Sequence, residues 1–152
     1  MQLVPYHSNY ANAFYTLNIE WLETYFYVED YDRDVLSDPE HFIIKPGGHI
    51  FFAVENETVL GTVALLKRGS HAFEITKMAV LPEARGKQVG QKLMQYCITF
   101  AKENNFQQLF LYSNTSLTNA IHIYKKYGFV KVPLEQPNPY KRSNIKMDYN
   151  FS

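Results

Sequence analysis

Hydrophobic positions along the chain fall into two spacings. Between Tyr10 and Tyr27, Phe14, Leu17, Trp21, Leu22 and Tyr25 return every three or four residues, which predicts a helix with one apolar face. Val89 to Glu103 repeats the pattern: Val89, Leu93, Met94, Cys97, Ile98 and Ala101 share a face, with Lys92, Gln95, Lys102 and Glu103 mostly off it. Leu117 to Lys126 reads as a further helix closed by Gly128, and Asp38-Pro39-Glu40 as the start of a short one, since Pro suits a first helical turn. The other spacing is that of strands, over Gln2–Pro5, His49–Glu55, Val59–Lys67, Phe73–Leu81, Gln108–Tyr112, Phe129–Val132 and Ile145–Tyr149. Asn56-Glu57 joins the second and third as a hairpin, and Pro82 stops the fourth.

This order predicts an α/β fold: one domain over residues 1–152, a mixed β-sheet flanked by helices. Phe73–Leu81, the helix after it and Gln108–Tyr112 form a βαβ unit, and ligands of such sheets gather at the carboxyl ends of the strands. A hydrophobic fraction of 46% supports a real core.

Charge and composition narrow the function. Lys+Arg and Asp+Glu are both 15, so the chain lacks the basic excess of a nucleic-acid or anionic-membrane binder. The apolar runs are too short to span a bilayer. Met1–Tyr10 lacks the pattern of a signal peptide, and cytoplasmic residence is expected. Cys97 is the only cysteine and is read as inert core, which excludes an intrachain disulfide or a cysteine zinc site. His7, His41, His49, His71 and His122 have no ligand-like pairing, so no metal is expected. Acidic residues crowd Glu29 to Glu40 and basic ones the last third, both read as solvated faces.

The chemistry concentrates between the fourth strand and its helix, in Val80-Leu81-Pro82-Glu83-Ala84-Arg85-Gly86-Lys87-Gln88-Val89-Gly90. A loop feeding a helix start presents N–H groups with no intrahelical partner, and the helix dipole adds positive potential. Gly86 and Gly90 let a ligand approach the backbone, while Arg85 and Lys87 add charge. An anion site of phosphate type is one reading; a plain turn is the other.

Arg85-Gly86-Lys87-Gln88-Val89-Gly90 resembles the acetyl-CoA motif Gln/Arg-x-x-Gly-x-Gly/Ala of the GNAT superfamily of N-acetyltransferases. Asn119-Ala120-Ile121-His122-Ile123-Tyr124-Lys125-Lys126-Tyr127-Gly128-Phe129 is similar to a second block of that family, Asn-Ala-x-x-x-Tyr-x-x-x-Gly-Phe. Gln88 stands where the first motif usually has Gly, and its Cβ restricts the backbone there.

The resemblance implies a GNAT-like fold and acetyl-CoA as acetyl donor. Met78, Ala79 and Val80 would lie along the pantetheine arm and thioester carbonyl. The amides of Arg85, Gly86, Lys87, Gln88, Val89, Gly90 and Gln91 would hold the pyrophosphate, with Asn114 and Asn119 as further cofactor contacts. Tyr124 is implied as the acid for the departing thiolate, and Glu74 as the base for the incoming amine. For Glu74, an exposed strand position is the bland alternative. Loops Tyr25–Asp34 and Pro133–Arg142 would frame the acceptor, a small-molecule amine or peptide, with Glu29, Asp30 and Asp32 suited to a cation. A homodimer fits the Tyr-rich edges. A non-catalytic acyl-CoA sensor or scaffold is the alternative function.

Overall fold

Seven strands hydrogen-bond into one mixed sheet in the order β1-β2-β3-β4-β5-β7-β6. In the computed structural model, which describes residues 1–152, they are β1 (Gln2–Pro5), β2 (His49–Glu55), β3 (Thr58–Lys67), β4 (Ala72–Val80), β5 (Gln108–Ser113), β6 (Phe129–Val132) and β7 (Ile145–Tyr149). All neighbours are antiparallel except β4 and β5, whose connection is the helix α3 (Val89–Glu103). The predicted α/β domain with a helix-flanked mixed sheet is the observed one.

The central strands are buried on both faces, which is why they read as nearly continuous apolar runs. In β2, Ile50 and Phe52 face a core completed by Phe14 and Leu22 of α1 (Ala11–Tyr25) and by Val35 and Leu36 of α2 (Asp30–Ser37). Phe51 and Ala53 alternate to the opposite face, against Val89, Leu93, Met94, Cys97 and Ala101 of α3. All six positions assigned to the apolar face of α3 are buried. Burial pushes the Cys97 thiol far up, so it stays a neutral core group.

The stretch from Glu29 to Glu40 departs from the reading as a solvated acidic face followed by a helix starting at Asp38-Pro39-Glu40. Asp30–Ser37 is itself the helix, and only one wide π-turn, Glu40–Ile44, follows Pro39. Acidic residues in a first turn favour a helix start through the dipole, which the apolar spacing alone does not report.

Two irregularities in β4 open the sheet. Between Thr62↔Ala79 and Ala64↔Thr76, two residues of β4 oppose one of β3, a bulge in which Lys77 takes φ 55°. Beyond it β4 leaves β5: the two pair only from Ala72↔Gln108 to Ile75↔Leu111. The rest of β4 has no partner on that side, while Tyr112 and Ser113 continue to pair with β7. A wedge opens between the strands at their carboxyl ends.

Candidate active site

The wedge is a cleft of about 600 Å³. Its walls are β4 from Glu74 to Val80, β5 from Leu111 to Ser113, the start of α4 (Thr118–Lys126) with Tyr124, one face of α1, and the loop before β7. Trp21 and Tyr25, assigned to the apolar stripe of α1, line this cleft, and Tyr25 is 46% exposed; the buried stripe contains Asn18 instead. Asn18 fits there because its amide donates to the Phe14 carbonyl at 2.9 Å.

Glu74, Met78, Ala79, Val80, Arg85, Asn114, Asn119 and Tyr124 meet on this cleft. Gly86, Lys87, Gln88, Val89, Gly90 and Gln91 do not line its enclosed part. They form the start of α3, with Gly86, Lys87 and Gln88 on the surface. The N–H groups of Gly86, Gln88, Val89, Gly90 and Gln91 have no acceptor in the protein; the helix ladder begins with Lys92 N–H to the Gln88 carbonyl at 3.1 Å. Five open donors at a helix N-terminus make a binding surface for an anion. Val89 offers only its amide, since its side chain is core.

Gln88 caps this helix at φ 65°, ψ 19°, the left-handed conformation for which glycine is usual. Its side chain is exposed and makes no hydrogen bond. Glutamine thus adopts the glycine geometry at an energetic cost rather than closing the loop. Arg85 supplies less charge than its place in the motif suggests: it pairs with Glu20 of α1 at 2.5 Å and lies over the Tyr25 ring at 5.6 Å.

Glu74 is only 1% exposed, which rules out the exposed-strand alternative. Its Oε1 accepts from Arg68 Nε at 3.0 Å and its Oε2 from the Tyr140 hydroxyl at 2.8 Å. Burial and the nearby Glu74 carboxylate push the Tyr140 phenol up, keeping it a donor. Arg68 and Tyr140, 6 and 66 residues from Glu74 in the chain, are parts of the site that sequence spacing does not signal. Tyr124 lies in the cleft with its phenol raised by burial, the Ser113 hydroxyl acting in the opposite sense. Asn114 has both ends of its amide engaged, donating to the Arg142 carbonyl and accepting from Ser116 N–H, each at 2.9 Å. It shapes the wall, whereas the Asn119 side chain is exposed and has no partner in the protein.

The acidic loop corrects the expectation of a cation site. Asp32 is 3% exposed and receives the Arg142 guanidinium in a fork of 2.8 and 2.9 Å, plus the Glu29 N–H at 2.9 Å. Burial alone would raise its pKa, but the Arg142 fork and the Glu29 amide together hold it below the ordinary 3.8. Glu29 approaches the same Arg142 at 3.6 Å. Two of the three acids are committed to a clamp between the start of α2 and the loop before β7.

The acetyltransferase (GNAT) family profile matches residues 13–129. The chain belongs to this family. A solved GNAT acetyltransferase of Staphylococcus aureus superposes at a TM-score of 0.86, with 20% identity and 99% of each chain covered. The PaiA N-acetyltransferase of Thermoplasma acidophilum, solved in complex with coenzyme A, superposes at 0.74 with 17% identity, over 99% of this chain and all of that one. In sequence, the uncharacterized N-acetyltransferase YjgM of Escherichia coli is 33% identical over 60% of this chain and 58% of its own length. The chain spans between 31% and 66% of the curated relatives it matches.

Proposed function

We propose that this GNAT protein transfers an acetyl group from acetyl-CoA to a primary amine of a small molecule or peptide. The observation that carries the reading is the convergence of Glu74, Tyr124 and the unpaired edge of β4 on one cleft beside the open amides of α3. Gly86 to Gln91 would hold the pyrophosphate through their N–H groups. Met78 to Val80, freed from β5, have backbone groups available for the pantetheine arm and the thioester carbonyl. A donor at that carbonyl stabilises the oxyanion formed when the amine attacks.

The attacking nitrogen must first lose a proton. Glu74 is the proposed base, acting through a water because Arg68 and Tyr140 already engage both of its oxygens. Nitrogen then bonds the acyl carbon, the carbon–sulfur bond breaks with its electron pair left on sulfur, and the second proton on nitrogen passes through water to that sulfur, giving the amide and the CoA thiol. Burial raises the Tyr124 phenol, which keeps it protonated and able to donate a hydrogen bond to the developing thiolate.

The test is thiol release from acetyl-CoA across a panel of amines. Tyr124→Phe should lower kcat by roughly 10²-fold with acetyl-CoA affinity unchanged. Binding of acetyl-CoA without turnover of any amine would favour a sensor or scaffold instead. Failure of any acyl-CoA to raise the melting temperature would remove the donor assignment.

A further inference from the structure

The acceptor end of the cleft holds a charge cluster in which one cation, Lys77, has no partner. Arg68 is matched by Glu74 at 2.9 Å and Arg142 by Asp32 at 2.8 Å. Lys77 stands among these four groups, yet no carboxylate lies within ion-pairing distance of its ammonium and no hydrogen bond satisfies it. The other acid of the clamp, Glu29, approaches the same Arg142 nitrogen at 3.6 Å and is partly solvent-exposed. The three cations and three carboxylates balance in number, but all three carboxylates are drawn to the two arginines, and Lys77 alone is left without a counter-ion.

Lys77 is held there by the backbone. It is the left-handed residue of the β4 bulge, a conformation that a non-glycine residue adopts only at an energetic cost. The bulge places its side chain on the wall between the main cleft and a neighbouring cavity of about 210 Å³, a wall it shares with Tyr140. Glu74, the proposed base, is three positions away on the same strand.

We infer that the acceptor amine carries an anionic group, a carboxylate in the first instance, which binds Lys77 while the amine faces Glu74 and the thioester. Amino acids and related amino carboxylates are the substrate class this implies. The inference rests on the acetyl-transfer reading above and specifies its acceptor. Burial, the largest influence on Lys77, pulls its pKa below that of an ordinary lysine, and Asp32 and Glu74 only partly offset it. An ammonium in that position gains from a counter-ion that a ligand brings. A polyamine would bring further positive charge to Lys77 and no counter-ion for it.

The experiment compares matched acceptors with the full chain and acetyl-CoA. Leucine, phenylalanine and methionine are each set against their carboxamide and their decarboxylated amine, with O-phosphoethanolamine and spermidine as further arms. The expected result is a kcat/KM at least tenfold higher for the amino acids than for the carboxamides. Lys77→Gln should erase that ratio, mainly through KM, and Lys77→Arg should keep most of it. Preference for O-phosphoethanolamine would retain the anion and make phosphate its source. Equal or better turnover of the carboxamides, the plain amines or spermidine overturns the inference. If no amine is turned over although acetyl-CoA binds, the acetyl-transfer reading fails, and the anion site is judged separately. Calorimetric titration of the CoA-loaded protein with N-acetylleucine and N-acetylleucinamide then decides. Tighter binding of the acid to wild type, lost in Lys77→Gln, sustains the site, and equal binding overturns it. A melting curve for each variant separates misfolding from lost recognition, and Lys77→Arg carries the comparison if Lys77→Gln does not fold.

Discussion

Replacing Arg142 by Met removes both arms of the fork that neutralises Asp32 and leaves a carboxylate that is only 3% exposed. Breaking a buried pair from one side costs about 3–5 kcal/mol, because the remaining charge stays desolvated. Asp32 still keeps the Glu29 N–H at 2.9 Å, and Arg142 is not fully sealed, so the lower end, about 3 kcal/mol, is expected. In a chain of 152 residues that lowers the melting temperature by roughly 6–12 °C. Thermal and urea unfolding followed by circular dichroism measure it. Asp32→Asn introduced into Arg142→Met should recover more than half of the loss, since it removes the charge rather than the contact. Acid supplies an independent check. In the native protein Asp32 has a folded pKa below 3.8, so its stabilisation is present above that value and disappears as pH falls through the folded value. Arg142→Met lacks this stabilisation, and the two melting curves should converge toward low pH. A cost under 0.5 kcal/mol, with no effect of Asp32→Asn in that background, would mean the pair behaves as a solvated surface ion pair and would refute the reasoning.

Gln88→Gly removes the strain of a left-handed glutamine while adding freedom to the unfolded chain. A net gain of about 0–1 kcal/mol in urea unfolding is expected, with acetyl-CoA affinity retained; loss of affinity would assign the exposed side chain a direct contact. Gly61→Ala should do the opposite. Its Cβ would stand 2.9 Å from Val89 Cγ1 and 3.1 Å from Leu93 Cδ1, displacing the start of α3. Overpacking of this kind costs about 1–3 kcal/mol, and calorimetry should show weaker acetyl-CoA binding alongside it. His49 packs its ring against Phe100 at 4.7 Å, and burial lowers its pKa below 6.5. Its neutral form is thus favoured in the folded state, so stability should be full above pH 6.5 and decline as pH falls from there toward the folded pKa. His49→Gln should flatten that limb in urea titrations at successive pH values.

The parts of this fold that follow from local pattern were legible in the sequence. The apolar face of α3, the Asn56-Glu57 hairpin and the glycine that ends α4, Gly128 at φ 104°, each depend on neighbours within a few residues. The candidate site was legible where it is built from a contiguous segment, as in Arg85–Gly90 and Asn119–Phe129. It was not legible where it depends on distant pairs. Asp32 meets Arg142 across 110 residues, and without that partner the acidic run reads as a free cation site. Glu74 likewise gains its second partner only when Tyr140, 66 residues away, folds back over β4. Lys77 had no signal at all, because a bulge is a mismatch of register between two strands and neither strand announces it alone.

The short seam between β4 and β5 has a mechanical consequence. Only four residue pairs, Ala72↔Gln108 to Ile75↔Leu111, join the antiparallel block β1–β4 to the block β5–β7 along the backbone. A donor laid in the wedge would act as a surrogate strand, bridging two plates that the chain itself fastens at one end. Occupancy and rigidity then become one equilibrium: ligand at 100 times its Kd adds about 2.7 kcal/mol to the folded state. Amide exchange at the carboxyl ends of β4 and β5 should slow together as the wedge fills, giving a gauge of donor supply written into the sheet's own stiffness.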